Sequence, residues 1–318
     1  MKAFREIRAR HSILEICKIP ELAAEITLQP LQVFDLDAAI IFADILLPLE
    51  PMGLQLNFVK GEGPVISNRI RSIDDVSALR PVVVEESLSG VLSAIRLARK
   101  ALQVPLIGFA GAPFTLASYM IEGGASRAYL CTKQMMYSTP EAWDLLMRRL
   151  TCVTTDYLLA QVTAGAEALQ VFDSWVGALS PYDYRRFVLP YMKMLFEGLS
   201  THVPIIHFGT GTATLLSLQK EAGGDVIGLD WRIPLDEGWK IIGFDRAVQG
   251  NLDPAVLFGP ASEIHHQIDD ILMRAEGRPG HIFNLGHGIL PETPIDHVAT
   301  AIERVHERSA GIVSARPA

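Results

Sequence analysis

The sequence predicts an α/β protein in which residues 1–318 form one (β/α)8 TIM-type barrel domain, with the barrel's first strand missing from the chain. Three observations carry that expectation. Seven short apolar runs alternate with segments of helical periodicity, the pattern of right-handed βαβ units and a parallel sheet. Polar residues collect just past the ends of those runs, where barrels keep their chemistry. No glycine-rich dinucleotide fingerprint follows the first run, which counts against a doubly wound sheet. Seven runs leave a closed barrel one strand short.

Taken in order, Ser12 caps a short turn carrying Ile13, Ile16 and Cys17 on one side. Pro20 then takes the first position of a helix with Leu22, Ala23 and Ile26 at helical spacing. Residues 38–42 are apolar on both faces of the pleat, as a buried parallel strand must be, and Pro48 ends the segment. Residues 58–84 are mixed, with a loop or hairpin at Gly61-Glu62-Gly63-Pro64. One long helix fits residues 85–102, placing Leu88, Val91, Leu92, Ile95 and Ala98 on one face. A strand follows at 105–109. Thr139-Pro140-Glu141 supplies an N-cap, a first-position proline and an acid for a helix that Gly165 stops. Further strands fit 168–172, 204–208, 226–229, 247–250 and 281–285. Ser180-Pro181, Asp253-Pro254 and Thr293-Pro294 open helices among and after them.

The chemistry is sought at the strand ends. Asp44 stands inside an apolar run with no basic residue near it in sequence. Burying it unpaired is costly, so it needs a cationic partner, several donors or a ligand; a helix cap or a distant arginine would also serve. The other strand ends offer Thr115 and Tyr119, Asp173-Ser174-Trp175, residues 207–212, Asp230-Trp231-Arg232, Asn251, and Asn284-Leu285-Gly286-His287-Gly288. These are hydrogen-bonding groups. Ser174 and His287 lack a nucleophile elbow, so covalent catalysis is not expected. The histidines at 207, 265, 266, 281 and 287 form neither a His-x-x-x-His pair nor a Cys/His cluster, so no metal is expected. Gly209-Thr210-Gly211 reads as a turn into a helix, and the four tryptophans read as core or rim packing.

With 49% hydrophobic residues the chain can bury a large core. A net charge of −8 without a basic run disfavours nucleic acid and membrane surfaces as partners. Cys17, Cys131 and Cys152 read as reduced thiols of a cytoplasmic protein, and no secretory signal or membrane-length apolar stretch occurs.

Five dispersed segments resemble one family. Phe4-Arg5-Glu6-Ile7-Arg8 with His11-Ser12 and Pro20-Glu21-Leu22-Ala23-Ala24-Glu25 are followed by Ile41-Phe42-Ala43-Asp44-Ile45-Leu46. Next come Ala112-Pro113-Phe114-Thr115-Leu116 with Tyr119-Met120-Ile121-Glu122-Gly123-Gly124, then Phe172-Asp173-Ser174-Trp175, then Phe283-Asn284-Leu285-Gly286-His287-Gly288-Ile289. In this order, over essentially the whole chain, they resemble the uroporphyrinogen decarboxylases of haem and chlorophyll biosynthesis. The resemblance implies a cofactor-free carboxy-lyase on a (β/α)8 barrel, a homodimer, that turns the four acetates of uroporphyrinogen into methyls. It implies Asp44 as the carboxylate that collects the pyrrole N–H groups. It also implies Tyr119, Ser174 and His287 as binders of the acidic side chains, and Ile40, Phe109 and Phe172 as an apolar wall.

Two departures qualify the resemblance. The family begins with a strand and Met-Arg-Gln-Ala-Gly-Arg-Tyr, which this chain lacks; its arginines bind substrate carboxylates, and one is a candidate general acid. Ala125 stands where the family has a third glycine. The expectation is therefore an active decarboxylase whose true start lies upstream. The alternatives are a short paralogue that binds a tetrapyrrole or a full-length partner without catalysis, and a corrinoid-dependent methyltransferase. The last would need a His-x-Cys zinc site, whereas Phe208 and Gly209 follow His207.

Overall fold

The fold is described from a computed structural model covering residues 1–59, 61–199 and 203–314. Seven parallel strands form one curled sheet in sequence order: β1 (Ala39–Ile40), β4 (Leu106–Gly111), β5 (Ala168–Asp173), β6 (Ile205–Gly209), β7 (Val226–Gly228), β8 (Ala247–Gln249) and β9 (His281–Ile282). These are the seven expected strands. Among the described residues β1 and β9 are the sheet's two edges, and nothing pairs between them. A separate antiparallel hairpin, β2 (Leu56–Val59) with β3 (Gly63–Ile66), occupies the loop foreseen around Gly61, where Gly61 and Gly63 take positive φ.

Helices pack on the outer face. They comprise α1 (Lys2–Arg8), α2 (Ile13–Lys18), α3 (Pro20–Leu28), α4 (Ile73–Ser77), α5 (Val84–Ser87), α6 (Ser89–Ala101) and α7 (Pro113–Glu122). The rest are α8 (Leu130–Ser138), α9 (Pro140–Ala164), α10 (Pro181–Phe187), α11 (Leu189–Gly198), α12 (Leu216–Ala222), α13 (Leu235–Ile242), α14 (Ala261–Ala275) and α15 (Ile295–Ser314). Ser12 caps α2 in a full capping box with Glu15, and Ser180 caps α10 by accepting from the Asp183 N–H. Outer-face residues Leu106, Ala110, Leu169, Val171, Ile227 and Val248 are wholly buried beneath the helices. Trp143 and Trp239 lie in that core as expected, the first donating its indole N–H to the Phe187 carbonyl.

The structure corrects four local expectations. The helix over 85–102 is two helices, α5 and α6, broken at Leu88 (φ −117°, ψ 20°). Gly90 there packs onto α2 so closely that a Cβ would stand 2.8 Å from the Lys18 carbonyl, and the chain restarts to make that approach. The strand over 38–42 pairs only at Ala39 and Ile40, its last ladder bond running from the Ile41 N–H to the Ile107 carbonyl, while the Phe42 N–H, on the opposite edge, donates to the Thr27 hydroxyl of α3. Thr139 does not cap α9; its hydroxyl turns back to the Met135 carbonyl of α8. Asp253-Pro254 opens only a short 3-10 turn, Pro254–Phe258, before α14 begins.

Register decides what faces the inside of the curl. Ile40 pairs with Ile107, two residues before Phe109 on the same face; Phe109 pairs with Gln170, and Phe172 with Gly111 and Phe208. Ile40, Phe109 and Phe172 therefore share the inner face. Ile40 is 44% exposed there and Ile282, on the other edge strand, 43%.

Candidate active site

The inner face carries an aromatic ladder above a polar floor. Phe109 and Phe172 meet edge to face at 5.4 Å, and Phe172 meets Phe208 at 6.0 Å. Gln161 of α9 fixes Phe109 by accepting from its N–H and donating to its C=O, both at 2.8 Å. Below the ladder Gln249 reaches toward Gln170 on the same face.

Asp44 lies four residues past β1, half-buried at the mouth. Its Oδ1 accepts from the Leu46 N–H at 2.8 Å, a turn that fixes the carboxylate without neutralising it. Burial pushes its pKa up, the Leu46 N–H opposes this, and among the described residues no cation pairs with it. The carboxylate is thus oriented and short of positive partners. Beneath it lies Cys17, a buried thiol pushed up to about 12 by burial first and the Asp44 charge second.

Tyr119 projects from α7 beside Asp44. Burial, then the Asp44 charge, holds its phenol well above the ordinary range, so it stays a neutral donor. Its ring lies on Trp175 with centroids 3.7 Å apart, and Tyr129 also meets Trp175, at 5.2 Å. One turn earlier on α7 the Thr115 hydroxyl donates to Oδ1 of Asp173 at 3.0 Å and accepts from the Trp175 N–H at 3.3 Å. Asp173 is wholly buried, with Oδ2 unpartnered among the described residues, and burial raises its pKa to about 7. This tie between α7 and the end of β5 holds Tyr119, Ser174 and Trp175 in one arrangement. The sequence offers Thr115 and Asp173 separately as strand-end groups, and nothing in it joins the two.

Ser174 is half-buried, and its carbonyl accepts from the Thr210 hydroxyl of the next strand end. His287 is exposed, and its ring meets Trp231 at 6.0 Å in a T-shape. It sits there because Gly286 lies against the backbone of Asp230 and Trp231: a Cβ on Gly286 would come 2.5 Å from the Trp231 nitrogen. Gly286→Ala is expected to lift the His287 loop, raising KM several-fold with a smaller change in melting temperature. Unchanged kinetics would show that the loop's seat does not matter to the site.

His207 leaves the mouth altogether. It is fully buried on the outer face against the Phe196 ring at 5.0 Å, and burial pushes its pKa down to about 4, so it stays neutral. Among the described residues no three His, Cys, Asp or Glu side chains converge as a metal site requires, and no helix is long and apolar enough to cross a membrane.

A sequence model described as uroporphyrinogen decarboxylase (URO-D) matches residues 1–308. The chain is 54% identical over 313 residues to a uroporphyrinogen decarboxylase of Carboxydothermus hydrogenoformans, covering 98% of this chain and 89% of that one. It is 56% identical over 309 residues to one of Sorangium cellulosum, covering 96% and 88%. Among solved structures it resembles a methyltransferase from Methanosarcina mazei at a TM-score of 0.78 and 22% identity, over 92% of this chain and 86% of that one. A B12-independent methionine synthase from Shewanella is similar at a TM-score of 0.63 and 11% identity, over 93% and 89%. At those identities the two structures support the barrel-type fold and nothing of the chemistry.

Proposed function

We propose that this chain, which belongs to the uroporphyrinogen decarboxylase family, converts uroporphyrinogen III to coproporphyrinogen III by removing its four acetate carboxyls. The observation that carries the reading is Asp44: an oriented, half-buried carboxylate that pairs with no cation among the described residues, above an apolar wall and beside a neutral phenol. A macrocycle with four inward pyrrole N–H groups supplies the donors that such a carboxylate lacks.

The chemistry follows from charge. Protonation of a pyrrole carbon makes that ring an electron-poor cation. The bond from the acetate methylene to its carboxylate then breaks, carbon dioxide leaves, and the electron pair neutralises the ring. A second proton delivered to the methylene carbon, and loss of the first from the ring, leaves a methyl group. Each turn consumes one proton net, and the substrate is its own electron sink. Asp44 lowers the barrier by holding the N–H groups where positive charge develops. Tyr119, Ser174 and His287 orient the acidic side chains, while Ile40, Phe109 and Phe172 flank the ring. The whole chain works as one barrel domain, and assembly as a cytoplasmic homodimer belongs to the same reading, supported by the family alone.

The test is release of carbon dioxide from anaerobically reduced uroporphyrinogen, with the products separated by carboxylate number. Stepwise loss to the tetracarboxylate is expected. Binding of the macrocycle without any release would overturn the reading in favour of a non-catalytic tetrapyrrole binder. Tyr119→Phe deletes one donor and keeps the ring on Trp175, so turnover is expected to fall by about 10- to 100-fold, the worth of a hydrogen bond to a charged group. A larger loss than that from changing Asp44 would reverse their ranking.

A further inference from the structure

The rim of the mouth carries one more built feature, four strands away from β1 in the sheet order. Past β7, Asp230 is buried, with its carboxylate accepting from the Gly211 N–H at 2.5 Å and from the Arg232 N–H at 3.0 Å. The same carboxylate pairs with Nη1 of Arg232 at 2.6 Å. The Arg232 guanidinium carbon lies over the Trp231 ring, 3.9 Å from its centre, and the Arg232 side chain is half exposed. Asp230 and Trp231 hold the guanidinium from two sides, one by an ion pair and one by the ring contact. Nε and Nη2 have no partner among the described residues. Trp231 also meets His287, so arginine and histidine contact one ring at the same end of the barrel.

An arginine fastened this way is more than a solvated surface charge. Its rotamer is held by an ion pair and by the contact with Trp231, while Nε and Nη2 carry three N–H donors without a partner among the described residues. In a chain of net charge −8, a substrate bearing eight carboxylates must be drawn by local cations. We propose that Arg232 binds a carboxylate side chain of the tetrapyrrole on the rim across from Asp44, and so helps to set the enzyme's preference for heavily carboxylated macrocycles. The inference rests on the reading of the mouth as a tetrapyrrole site. Asp230, Trp231 and Gly286 are its positioning residues.

The test compares wild type, Arg232→Gln and Arg232→Lys by two readouts. One is the kinetics of uroporphyrinogen decarboxylation. The other is the affinity for oxidised uroporphyrin, read by quenching of tryptophan fluorescence across a range of salt. Arg232→Gln is expected to raise KM and weaken uroporphyrin binding by about 10-fold or more, with kcat within about twofold, because a charged hydrogen bond made in both ground and transition states is lost. Its binding should also depend less steeply on salt. Arg232→Lys keeps the charge without the fork and should fall between the two. A folded Arg232→Gln protein with affinity within about twofold of wild type overturns the proposal. If that protein does not fold, unchanged affinity in Arg232→Lys overturns it instead. An inactive wild type whose uroporphyrin binding still depends on Arg232 would sink the decarboxylase reading alone. An active wild type indifferent to Arg232 would sink this proposal alone.

Discussion

Asp44→Asn is expected to lose at least about 100-fold in turnover, the usual cost of removing a preorganised charge from the developing transition state, while remaining folded. The Asn carbonyl oxygen can keep the bond that Asp44 Oδ1 accepts from Leu46, and no cation is left stranded because none pairs with Asp44 among the described residues. The substitution therefore removes charge with little change of shape. Stability supplies an independent check on sign. Burial raises the folded-state pKa of Asp44, so the folded protein resists ionisation more than the unfolded chain does. The resulting cost is absent at pH below the ordinary carboxylate range, grows as pH rises through the ordinary value toward the folded one, and is complete above it. Asp44→Asn should accordingly match wild type in acid and be the more stable protein at neutral pH. Near wild-type turnover would remove Asp44 from the mechanism. A variant less stable at neutral pH would mean that a positive partner compensates the charge.

Much of this arrangement was legible because the signals are local. Strands buried on both faces read as unbroken apolar runs, so all seven were found. A carboxylate inside such a run announces itself, as Asp44 did. Ile40, Phe109 and Phe172 were expected together through the family resemblance, and the register now places them on one face. What escaped depends on residues distant in sequence. The break at Leu88 exists because Gly90 meets Lys18, and the Phe42 N–H on the outer edge of β1 is met by Thr27, 15 residues earlier. Thr115 and Asp173 are 58 residues apart, and no spacing rule joins them. Arg232 lies next to its own partners in sequence, but its importance depends on where Gly286 brings His287. Local chemistry was readable; the contacts that aim it were not.

Asp173→Asn should leave wild type behind at alkaline pH and match it in acid. The folded carboxyl, wholly buried and tied among the described residues only to Thr115, has its pKa raised by burial from the ordinary 3.8 to about 7. A shift of that size corresponds to a cost of about 4 kcal/mol once the group is fully ionised, an upper figure because relaxation reduces it. Because the folded pKa is the higher one, the cost is nil below the ordinary carboxylate range, accumulates between about pH 4 and pH 7, and stays constant above. The amide cannot ionise and retains an oxygen to accept from the Thr115 hydroxyl, so its stability should not follow that slope. Denaturant midpoints at pH 4 and pH 8 decide the matter: the two proteins should coincide at the first and differ by a few kcal/mol at the second. The consequence reaches the site, because Thr115 also receives the Trp175 N–H, and Trp175 carries Tyr119. The Thr115 hydroxyl donates to Oδ1 and so binds the ionised carboxylate more strongly than the neutral acid, and the wild-type rate should therefore change near pH 7 with a limb that Asp173→Asn lacks. A stability difference equal at both pH values would mean instead that a donor to Oδ2 holds Asp173 ionised, and that Tyr119 and Ser174 are aligned by a buried charge rather than by a neutral hydrogen bond.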